Sequence, residues 1–589
     1  MRSFALVALL AVVVALPFVF RREPAAGDWK EGDGVLVIVT PDNEAIRHEY
    51  AIAFSKWHQE KYGRPVRIDW RNIGGTSEIM RYLQGEYVSA FRAWWTAQGH
   101  PWRSDAAGVL LARGFDESKR PEGVPEEEWA ERVRMRRAFR ETDDPSAFTT
   151  KLDLMFGGGA YDLGNAGRMG MLVPLWPEGA VPPGVVADPE TGAELFPAEL
   201  SGETWRTSTF YGTTLSTFGI CFNRDRMAAL GIAEEPRSWR DLADPRWAGT
   251  LGLTDPTKSG SITKAFETIV QVECTRAVEA AGFEDGEIDA WEAAIAAAGL
   301  PPGEMPDGVP AAYQEAVEAG WTNGIRLLQR IAANARYFTD SASKIPLDVG
   351  SGNAAAGLCI DFYGKFEAAT ANRGRPDGPM GYVTPQGESG VSCDPIGLLR
   401  GAPHQELARR FAEFCLLPEG QALWCYRVGE PGGPETYALQ RFPIRRDFYP
   451  DGENPAFQAA YEAHREHTTC DLGAPGEDAY RLANEYRYRA RWTAGHYGML
   501  RHLVRAMGMD SGLELKAAWR AIREAGGPDA VPDAVAAMEA MPLEPEPLTW
   551  RSGLDVTVRH DREDLLRAWT AHFRKQYKLA ERLARDAAR

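Results

Sequence analysis

The sequence predicts an α/β protein that ends in a mostly helical region. Two observations at the start of the chain support this: a strand-like run, "VLVIVT" at 35–40, is followed by an amphipathic helix, "NEAIRHEYAIAFSKWHQEKYG", and then by a second strand and helix, "VRIDW" and "GGTSEIMRYLQ". This β-α-β-α order indicates a parallel sheet covered by helices. A third observation is that strand signals nearly vanish after about residue 451, where only "LDVTVRH" keeps a strand-like pattern.

The alternation of predicted strands and helices is interrupted by one segment and then continues. Residues 86–148 are rich in Trp, Arg and Glu and are predicted to be a helical insertion. Strands are predicted at "GICFN" (219–223) and "LGLT" (251–254), and residues 285–345 are predicted to be alanine-rich helix. The segment "GNAAAGLCIDFYGKFEAA" is predicted as helix, strand, loop and helix. The length of 589 residues is enough for two to four domains.

The amino terminus has the pattern of an export segment. An apolar run at residues 4–20 lies between Arg2 and the pair Arg21 and Arg22. We interpret residues 1–26 as either a cleaved signal peptide or a membrane anchor, because the run is at the short limit for a spanning helix. Both alternatives predict that the remainder is periplasmic or otherwise extracytoplasmic.

The net charge argues against one class of function, and the cysteine pattern argues against zinc binding. The formal net charge is −17, which argues against a general nucleic-acid-binding protein, since such proteins need a basic face. The seven cysteines are scattered without Cys-x-x-Cys or zinc spacing. We therefore expect buried free cysteines, although one disulfide remains an alternative.

Five predicted strand-to-helix junctions are rich in glycine and short polar residues. They are Asp42–Asn43–Glu44, Gly74–Gly75–Thr76–Ser77, Gly157–Gly158–Gly159, Ser259–Gly260–Ser261 and Asp361–Phe362–Tyr363–Gly364. Helix amino termini carry free N–H groups and a positive dipole end, so such junctions suit ligand binding at the edge of an open sheet. The alternative is ordinary helix capping, and sequence spacing alone does not show whether the junctions converge.

One junction also permits a catalytic hypothesis. Ser261 and Lys264 have the S-x-x-K spacing of exported serine acyl-enzymes. The expected K-[ST]-G element is misplaced, because Lys258–Ser259–Gly260 lies directly before the serine. The common motifs H-E-x-x-H, Walker A and G-x-S-x-G are missing from the sequence. A non-enzymatic function is therefore the main prediction, and an acyl-enzyme is an alternative.

Several motifs between about residues 33 and 446 carry a family resemblance. They include "VLVIVTPDNEAIRHEYAIAFSKWH", "FGGGAYDLGNAGRMGMLVPLW", "SWRDLADPRWAGTLGLTDPTKSGS" and "DPIGLLRGAPHQELARRFAEFCLLPEGQALW". The chain resembles the periplasmic solute-binding proteins of ABC transporters, in the iron(III)/thiamine/polyamine-type group with the type II fold. This implies two α/β lobes joined by crossing strands. Lobe 1 would span 33–216 and 382–446, lobe 2 would span 217–381, and residues 447–589 would be a helical extension.

The resemblance also implies a ligand site between the lobes. The matching positions are Asn43, Glu44, Thr76, Ser259, Gly260, Ser261, Asp361 and Tyr363. If the ligand is ferric iron, Glu44, Asp361 and Tyr363 would hold it, but Phe362 stands where iron-binding members have the first of two tyrosines. Ferric iron and a small organic ligand therefore both remain open, and no other cofactor is expected.

The resulting functional prediction is the solute-binding component of an ABC import system. It would be a monomer that binds a small ligand or ion, hands it to a permease in the cytoplasmic membrane, and contacts no nucleic acid. A membrane-anchored sensor or scaffold is an alternative, because the extension lies outside the resemblance. We predict that the extension forms a helical layer on one lobe, with a docking surface for a membrane partner as the alternative.

Overall fold

The structure is a computed structural model that describes residue 30 and residues 34–301, 303–373, 375 and 377–589. The predicted signal peptide or anchor at 1–26 lies outside the described residues. Within the described residues, none of the helices combines the length and the apolar character that a membrane-spanning segment requires.

Fourteen strands occur in the described part of the chain. In order they are β1 Gly34–Val39, β2 Val66–Arg71, β3 Leu154–Phe156, β4 Leu172–Val173, β5 Glu199–Leu200, β6 Glu203–Thr204, β7 Phe210–Ser216, β8 Phe218–Asn223, β9 Leu251–Thr254, β10 Ala335–Thr339, β11 Ala356–Ile360, β12 Met380–Val383, β13 Ser392–Leu399 and β14 Phe442–Pro443.

The main strands form two sheets of the same design, which define two lobes. The lobe 1 sheet has the order β14-β7-β13-β3-β1-β2 with β4 beside β13, and the lobe 2 sheet has the order β10-β9-β11-β8-β12. In each sheet three strands run parallel, as β2-β1-β3 and β10-β9-β11 do, while the strands beyond pair antiparallel. The predicted two-lobed α/β fold is therefore confirmed.

The chain crosses between the lobes at two adjacent places. β7 of lobe 1 ends at Ser216 and β8 of lobe 2 begins at Phe218, and the return runs from the end of β12 to the start of β13. Two hydrogen bonds link these crossings. The Ser389 hydroxyl of the return segment accepts from the Phe218 N–H at 3.0 Å and donates to the Phe218 carbonyl at 2.7 Å. This is the hinge of crossing strands that the resemblance implied.

The helices cover both sheets and form the extension. They are α1 Glu44–Tyr62, α2 Thr76–Ala97, α3 Ala106–Leu110, α4 Glu126–Glu141, α5 Ala160–Met169, α6 Arg224–Ala229, α7 Gly260–Ala280, α8 Asp285–Ala298, α9 Ala311–Ala333, α10 Lys344–Gly350, α11 Asp361–Asn372, α12 Gln405–Leu416, α13 Pro418–Cys425, α14 Pro455–Arg465, α15 Ala479–Glu485, α16 Ala490–Thr493, α17 Tyr497–Val504, α18 Gly512–Glu524, α19 Pro532–Met538, α20 Trp550–Gly553, α21 Val556–Arg559 and α22 Arg562–Ala587.

Buried apolar side chains of both lobes and of the extension form one continuous hydrophobic cluster. In lobe 1, Tyr50 and Phe54 of α1 pack against Phe156 of β3 and the rings of α12 and α13. In lobe 2, α7 packs closely on α9, because a Cβ at Gly324 would stand 2.6 Å from the Val270 Cα. Only glycine permits this approach of two helix backbones.

Besides the helix predicted at the start of "GNAAAGLCIDFYGKFEAA", which is absent because α10 ends at Gly350 and β11 begins at Ala356, three local predictions were wrong. Residues 335–339, expected to be helix, form β10 because they pair in parallel with β9. The strand-like "LDVTVRH" contains the short helix α21 instead. No loop separates β11 from α11, since the helix begins at Asp361 directly after the strand. In the first two cases tertiary packing outweighed local propensity.

The extension packs on both lobes, whereas we predicted one. On lobe 1, the Tyr480 hydroxyl donates to the Ile444 carbonyl at 2.7 Å. On lobe 2, the Trp519 indole donates to Asn334 at 2.7 Å and Gln329 donates to the Tyr577 hydroxyl at 2.8 Å. The extension is therefore a layer that joins the two lobes.

The cysteine prediction is confirmed. All seven cysteines are free; six are buried and Cys470 is half-buried.

Candidate functional site

Three of the predicted junctions converge at the edge of the lobe 1 sheet. A Cβ at Gly157 would stand 2.5 Å from an Asp42 carboxylate oxygen, and a Cβ at Gly158 would stand 2.9 Å from the Thr76 methyl group. Both glycines also have positive φ, 82° and 87°. The loop before α5 therefore lies against both the end of β1 and the start of α2, as the carboxyl edge of a parallel sheet allows.

The fourth junction, from lobe 2, meets this edge. The Ser259 hydroxyl caps α7 by accepting from the Ile262 N–H at 3.3 Å. A Cβ at Gly75 of lobe 1 would stand 3.2 Å from the Lys258 carbonyl, and a Cβ at Gly260 would stand 2.9 Å from the Asp162 carboxylate. The first turns of α2, α5 and α7 thus come together across a closed cleft.

A small cavity of about 60 Å³ remains between the lobes. Its walls include Asp162, Ser216, Ser261, Lys264, Asp394 and Tyr497. A wider groove of about 490 Å³ shares Tyr161, Glu203, Lys264 and Tyr497 with it. The cavity therefore has contributions from both lobes and from the extension.

Behind the cavity lies a buried charged network centred on Arg441. The Arg441 side chain is fully buried, pairs with Asp394, and donates to the Ser216 hydroxyl. Its guanidinium lies 4.2 Å from the centre of the Phe362 ring. Its Nε and Nη1 atoms and Asp42 Oδ2 have no hydrogen-bond partner among the described residues.

Burial changes the acidity of the carboxyl groups around Arg441. It raises the pKa of Asp42 to about 7, although the Arg441 guanidinium opposes the shift. Burial likewise raises the pKa of Asp361 to about 6, against Lys365 and Arg441. These carboxyl groups are thus held partly protonated near neutral pH because the interior disfavours their charge.

Six of the eight predicted site residues divide into two groups. Thr76, Ser259, Gly260 and Ser261 lie at the meeting helix termini, as described above. Asp361 accepts from the Phe362 N–H at 2.8 Å, and the pKa of Tyr363 is raised by burial and by Asp42. Both therefore belong to the Arg441 network.

The remaining two residues have other roles. Asn43 caps α1, since its side chain accepts from the Ile46 N–H at 3.1 Å. The Glu44 side chain is 87% exposed and lies 3.7 Å from Arg47. The structure thus brings Asp361 and Tyr363 to one network and leaves Glu44 in solvent. Within the described chain, no group of three His, Cys, Asp or Glu residues could hold a metal ion.

The surroundings of Lys264 argue against the acyl-enzyme alternative. Its ammonium pairs with Glu203 at 2.8 Å and Glu267 at 3.2 Å and lies 3.5 Å from the centre of the Tyr488 ring. Burial lowers the pKa of Lys264, but the two carboxylates outweigh it and hold the pKa above its ordinary value. A lysine that stays protonated cannot accept the proton of Ser261.

Several residues at the site were missed by the sequence analysis. The Tyr497 hydroxyl donates to the Gly260 carbonyl at 2.6 Å, and its ring lies 4.2 Å from the Tyr161 ring. Arg501 donates to the Ser77 hydroxyl at 3.3 Å. The sequence did contain a weak indication of Tyr497 and Arg501, because residues four positions apart lie on the same face of a helix. No local pattern marks Arg441, Asp394 or Asp162.

The chain is similar to known proteins both in sequence and in fold. Residues 186–446 match the family described as bacterial extracellular solute-binding protein. An uncharacterised protein of Haemophilus influenzae is 24% identical over 209 residues, which are 36% of this chain and 45% of that protein. The phosphoglycerate transport regulatory protein PgtC of Salmonella typhimurium is 21% identical over 216 residues, which are 37% of this chain and 41% of that protein. The chain thus spans less than half the length of these relatives.

Similar solved structures include the periplasmic binding protein AfuA of Actinobacillus pleuropneumoniae with fructose-6-phosphate bound, and iron-bound HitA of Pseudomonas aeruginosa. The first has 15% identity and a TM-score of 0.42 and covers 77% of this chain and 97% of its own. The second has 16% identity and a TM-score of 0.37 and covers 77% and 99%. The resemblance predicted from the sequence is therefore confirmed over residues 186–446, which match the bacterial extracellular solute-binding protein family.

Proposed function

We propose that the protein is the extracytoplasmic solute-binding component of an ABC import system and that its ligand is a small organic anion. The observation that carries the proposal is the meeting of the first turns of α2, α5 and α7 across the cleft. The anion would bind between the lobes, and the protein would deliver it to a permease in the cytoplasmic membrane.

The helix termini favour a negatively charged ligand for a simple electrostatic reason. Each terminus presents N–H groups without helical partners and about half a positive charge from the helix dipole. The hydroxyls of Ser261 and Ser77 lie in the same first turns and add donors. Three such termini at one place form a stronger anion site than any one of them.

The Arg441 network disfavours ferric iron as the ligand. A ferric ion would need several anionic oxygens with their charge available to it. Here the buried guanidinium of Arg441 already pairs with Asp394 and interacts with Asp42 and Asp361. A second cation among these carboxylates would be repelled by the first, so an organic anion is the better candidate.

The name of one relative supports the same class of ligand. The Salmonella typhimurium relative is a phosphoglycerate transport regulatory protein, and a phosphoglycerate carries both a phosphate and a carboxylate. We therefore propose phosphorylated or carboxylated small acids as the ligand class. The cavity of about 60 Å³ is too small for such a molecule while the lobes stay closed, so binding requires the cleft to open at the hinge.

A ligand-sensing role is the second candidate. It is favoured by the extension, which packs on both lobes and would report whether the cleft is open or closed. In this role the protein would signal ligand occupancy to a membrane partner. The two candidates share the ligand site and differ in what the closed form contacts.

Calorimetric titration of the full-length chain in mild detergent tests the ligand class. The probes are 3-phosphoglycerate, inorganic phosphate, ferric citrate and putrescine. We expect binding of 3-phosphoglycerate, and at 100 times its Kd it should stabilise the fold by about 2.7 kcal/mol.

Two variants locate the binding. Ser261→Ala removes a hydroxyl from the cavity wall and should weaken binding, whereas Ser118→Ala, in an exposed turn of the insertion, should leave it unchanged. Citrate without iron is the control for ferric citrate, because citrate is itself a carboxylated acid. Binding of putrescine without binding of either anion probe, or binding of ferric citrate but not of citrate alone, would overturn the proposed ligand class.

A further inference from the structure

The side chain of Arg501 reaches both lobes from the extension. Its Nη1 donates to the hydroxyl of Ser77, the second residue of α2 in lobe 1. Its Nη2 lies 3.6 Å from the point where a Cβ of Gly260, the first residue of α7 in lobe 2, would stand. One guanidinium therefore lies at the first turns of two helices from opposite lobes.

The surroundings of Arg501 favour its charge only in part. Burial lowers the pKa of Arg501, but Tyr497, whose ring centre lies 4.8 Å from the guanidinium, and Asp162 outweigh it and hold the pKa above its ordinary value. Helix amino termini carry partial positive charge, so a cation placed between two of them is repelled by both. Moreover, Arg501 Nε and Nη2 are buried and have no hydrogen-bond partner among the described residues. Buried donors without acceptors destabilise a protein, so their presence calls for a missing acceptor.

The nearby carboxyl group of Asp162 compensates only in part. No ion pair within 4 Å links it to Arg501, although both lie against Gly260 in the described structure. Burial raises the pKa of Asp162, against the opposing influence of Arg501 and Arg113. Asp162 therefore leaves Arg501 Nε and Nη2 without a hydrogen-bonded counter-ion in the described structure.

We propose that Arg501 binds the anionic group of the ligand, so that the extension supplies one wall of the ligand site. This inference rests on the proposed function, because it concerns the same cleft. A phosphate or carboxylate would accept hydrogen bonds from Nε and Nη2 as a bidentate pair, and from N–H groups of α2 and α7 on its other side. Arginine suits this role because its planar donors match two oxygens of one anion.

The segment that carries Arg501 is fixed in place by lobe 2. The Tyr488 and Thr493 hydroxyls donate to Glu267 of α7 at 2.7 and 2.8 Å, and Gln271 of α7 donates to the Arg489 carbonyl at 2.7 Å. Tyr497 then joins the start of α7 through the Gly260 carbonyl. These bonds position α17 with respect to the anion site, as a ligand-binding element requires.

Calorimetric titration of the full-length chain in mild detergent with 3-phosphoglycerate and inorganic phosphate tests the proposal. Arg501→Gln should weaken binding of 3-phosphoglycerate at least tenfold. Arg501→Lys keeps the charge but loses the planar donor pair, and should weaken it less. The matched control is Arg505→Gln on the same helical run, where the arginine lies 3.4 Å from Asp510; its binding should equal that of the wild type.

A second readout separates ligand binding from a structural role. Without ligand, Arg501→Gln should unfold at the same temperature as the wild type or higher, because it removes a cation from two positive helix ends. A structural role predicts a lower unfolding temperature and unchanged binding. If Arg501→Gln does not fold, Arg501→Lys decides, and wild-type affinity in that variant overturns the proposal.

The outcomes also separate this inference from the proposed function. If the wild type binds 3-phosphoglycerate and Arg501→Gln binds it equally well, the role of Arg501 is overturned and the ligand class stands. If the wild type binds neither anion probe, both are overturned.

Discussion

Arg441 and Arg501 are the same side chain in different surroundings: Arg441 has a carboxylate in direct ion-pair contact, and Arg501 has none within 4 Å in the described structure. Arg441 comes from the end of lobe 1, is fully buried, pairs with Asp394, and interacts with Asp42 and Asp361. Arg501 comes from the extension, lies at the positive ends of α2 and α7, and has no ion pair within 4 Å in the described structure. Both keep unpaired N–H groups.

This contrast indicates that the two arginines have different roles. The Arg441 guanidinium stabilises the fold, and the Arg501 guanidinium is available to bind a ligand. Around Arg441 the carboxylates are built in, so removing the arginine would leave buried negative charge without a partner. Around Arg501 the neighbouring helix termini are positive and its Nε and Nη2 have no acceptor among the described residues, so we expect a bound ligand to supply that acceptor. The role of a buried arginine at a cleft can therefore be inferred from whether carboxylates or positive helix termini surround it.

The largest expected effect is on the Arg441 side of this comparison. Arg441→Gln should lower the free energy of unfolding by about 3–5 kcal/mol, because Asp394 loses its buried partner. Urea unfolding measures the change. The ligand-free Arg501→Gln protein serves as the control and should show no such loss. Equal losses in the two variants would break the comparison.

The second effect is a dependence of stability on pH that arises from Asp42. Its folded-state pKa is about 7 and its ordinary value is 3.8, so the folded protein retains a proton that the unfolded chain releases. The resulting stability is fully present below pH 3.8 and is lost as the pH rises through 7. Between pH 5 and pH 8 the loss from this group should be about 3 kcal/mol.

Asp42→Asn isolates this contribution, because asparagine has similar shape and does not titrate. Urea unfolding at pH 5, 6, 7 and 8 should give a flatter pH profile for the variant than for the wild type. If the free energy of unfolding changes with pH equally in both proteins, Asp42 does not have the raised pKa. The pH dependence would then arise from other groups, such as Asp361.

A smaller effect is expected for Tyr497, which shares a helix face with Arg501 but has its hydrogen bond in place. Tyr497→Phe should lower the free energy of unfolding by about 1 kcal/mol, because the Gly260 carbonyl loses its donor. Tyr161→Phe is the matched control, since Tyr161 contacts Tyr497 through its ring. Thermal or urea unfolding measures both, and a larger loss for Tyr161→Phe would contradict the assignment.

The smallest effect is expected for Glu44, the exposed member of the predicted iron set. Glu44→Gln should change the free energy of unfolding by less than about 0.5 kcal/mol, as is usual for surface substitutions. Binding of 3-phosphoglycerate and of ferric citrate should match the wild type in titrations. A clear loss of ferric citrate binding would restore Glu44 as a metal ligand.

Much of the fold followed from local sequence patterns. Strand and helix alternate with different periodicities, so the parallel parts of both lobes and the helical character of the extension were readable. The polar junctions were also correctly placed: Asn43 and Ser259 do cap helices. Thr76, Ser259, Gly260 and Ser261 lie where the helix starts meet, and their role in ligand binding stays a prediction.

Other features of the fold could not be predicted from local sequence, because they depend on contacts between distant residues. Residues 335–339 form a strand that pairs with β9, whereas "LDVTVRH" pairs with no strand in the described structure and contains the helix α21. The spread of the extension over both lobes depends on single hydrogen bonds between remote residues, such as Tyr480 to Ile444. A one-dimensional pattern contains no trace of such pairs.

By itself the sequence determined which segments form strands and helices and which helix starts carry glycine and hydroxyl groups, because these depend on neighbours along the chain. Only the tertiary structure decided that Arg441 lies among carboxylates and Arg501 among helix termini. The physical reason is that the charge of a buried group depends on what surrounds it in space. Those surroundings come from segments that are far apart in the sequence.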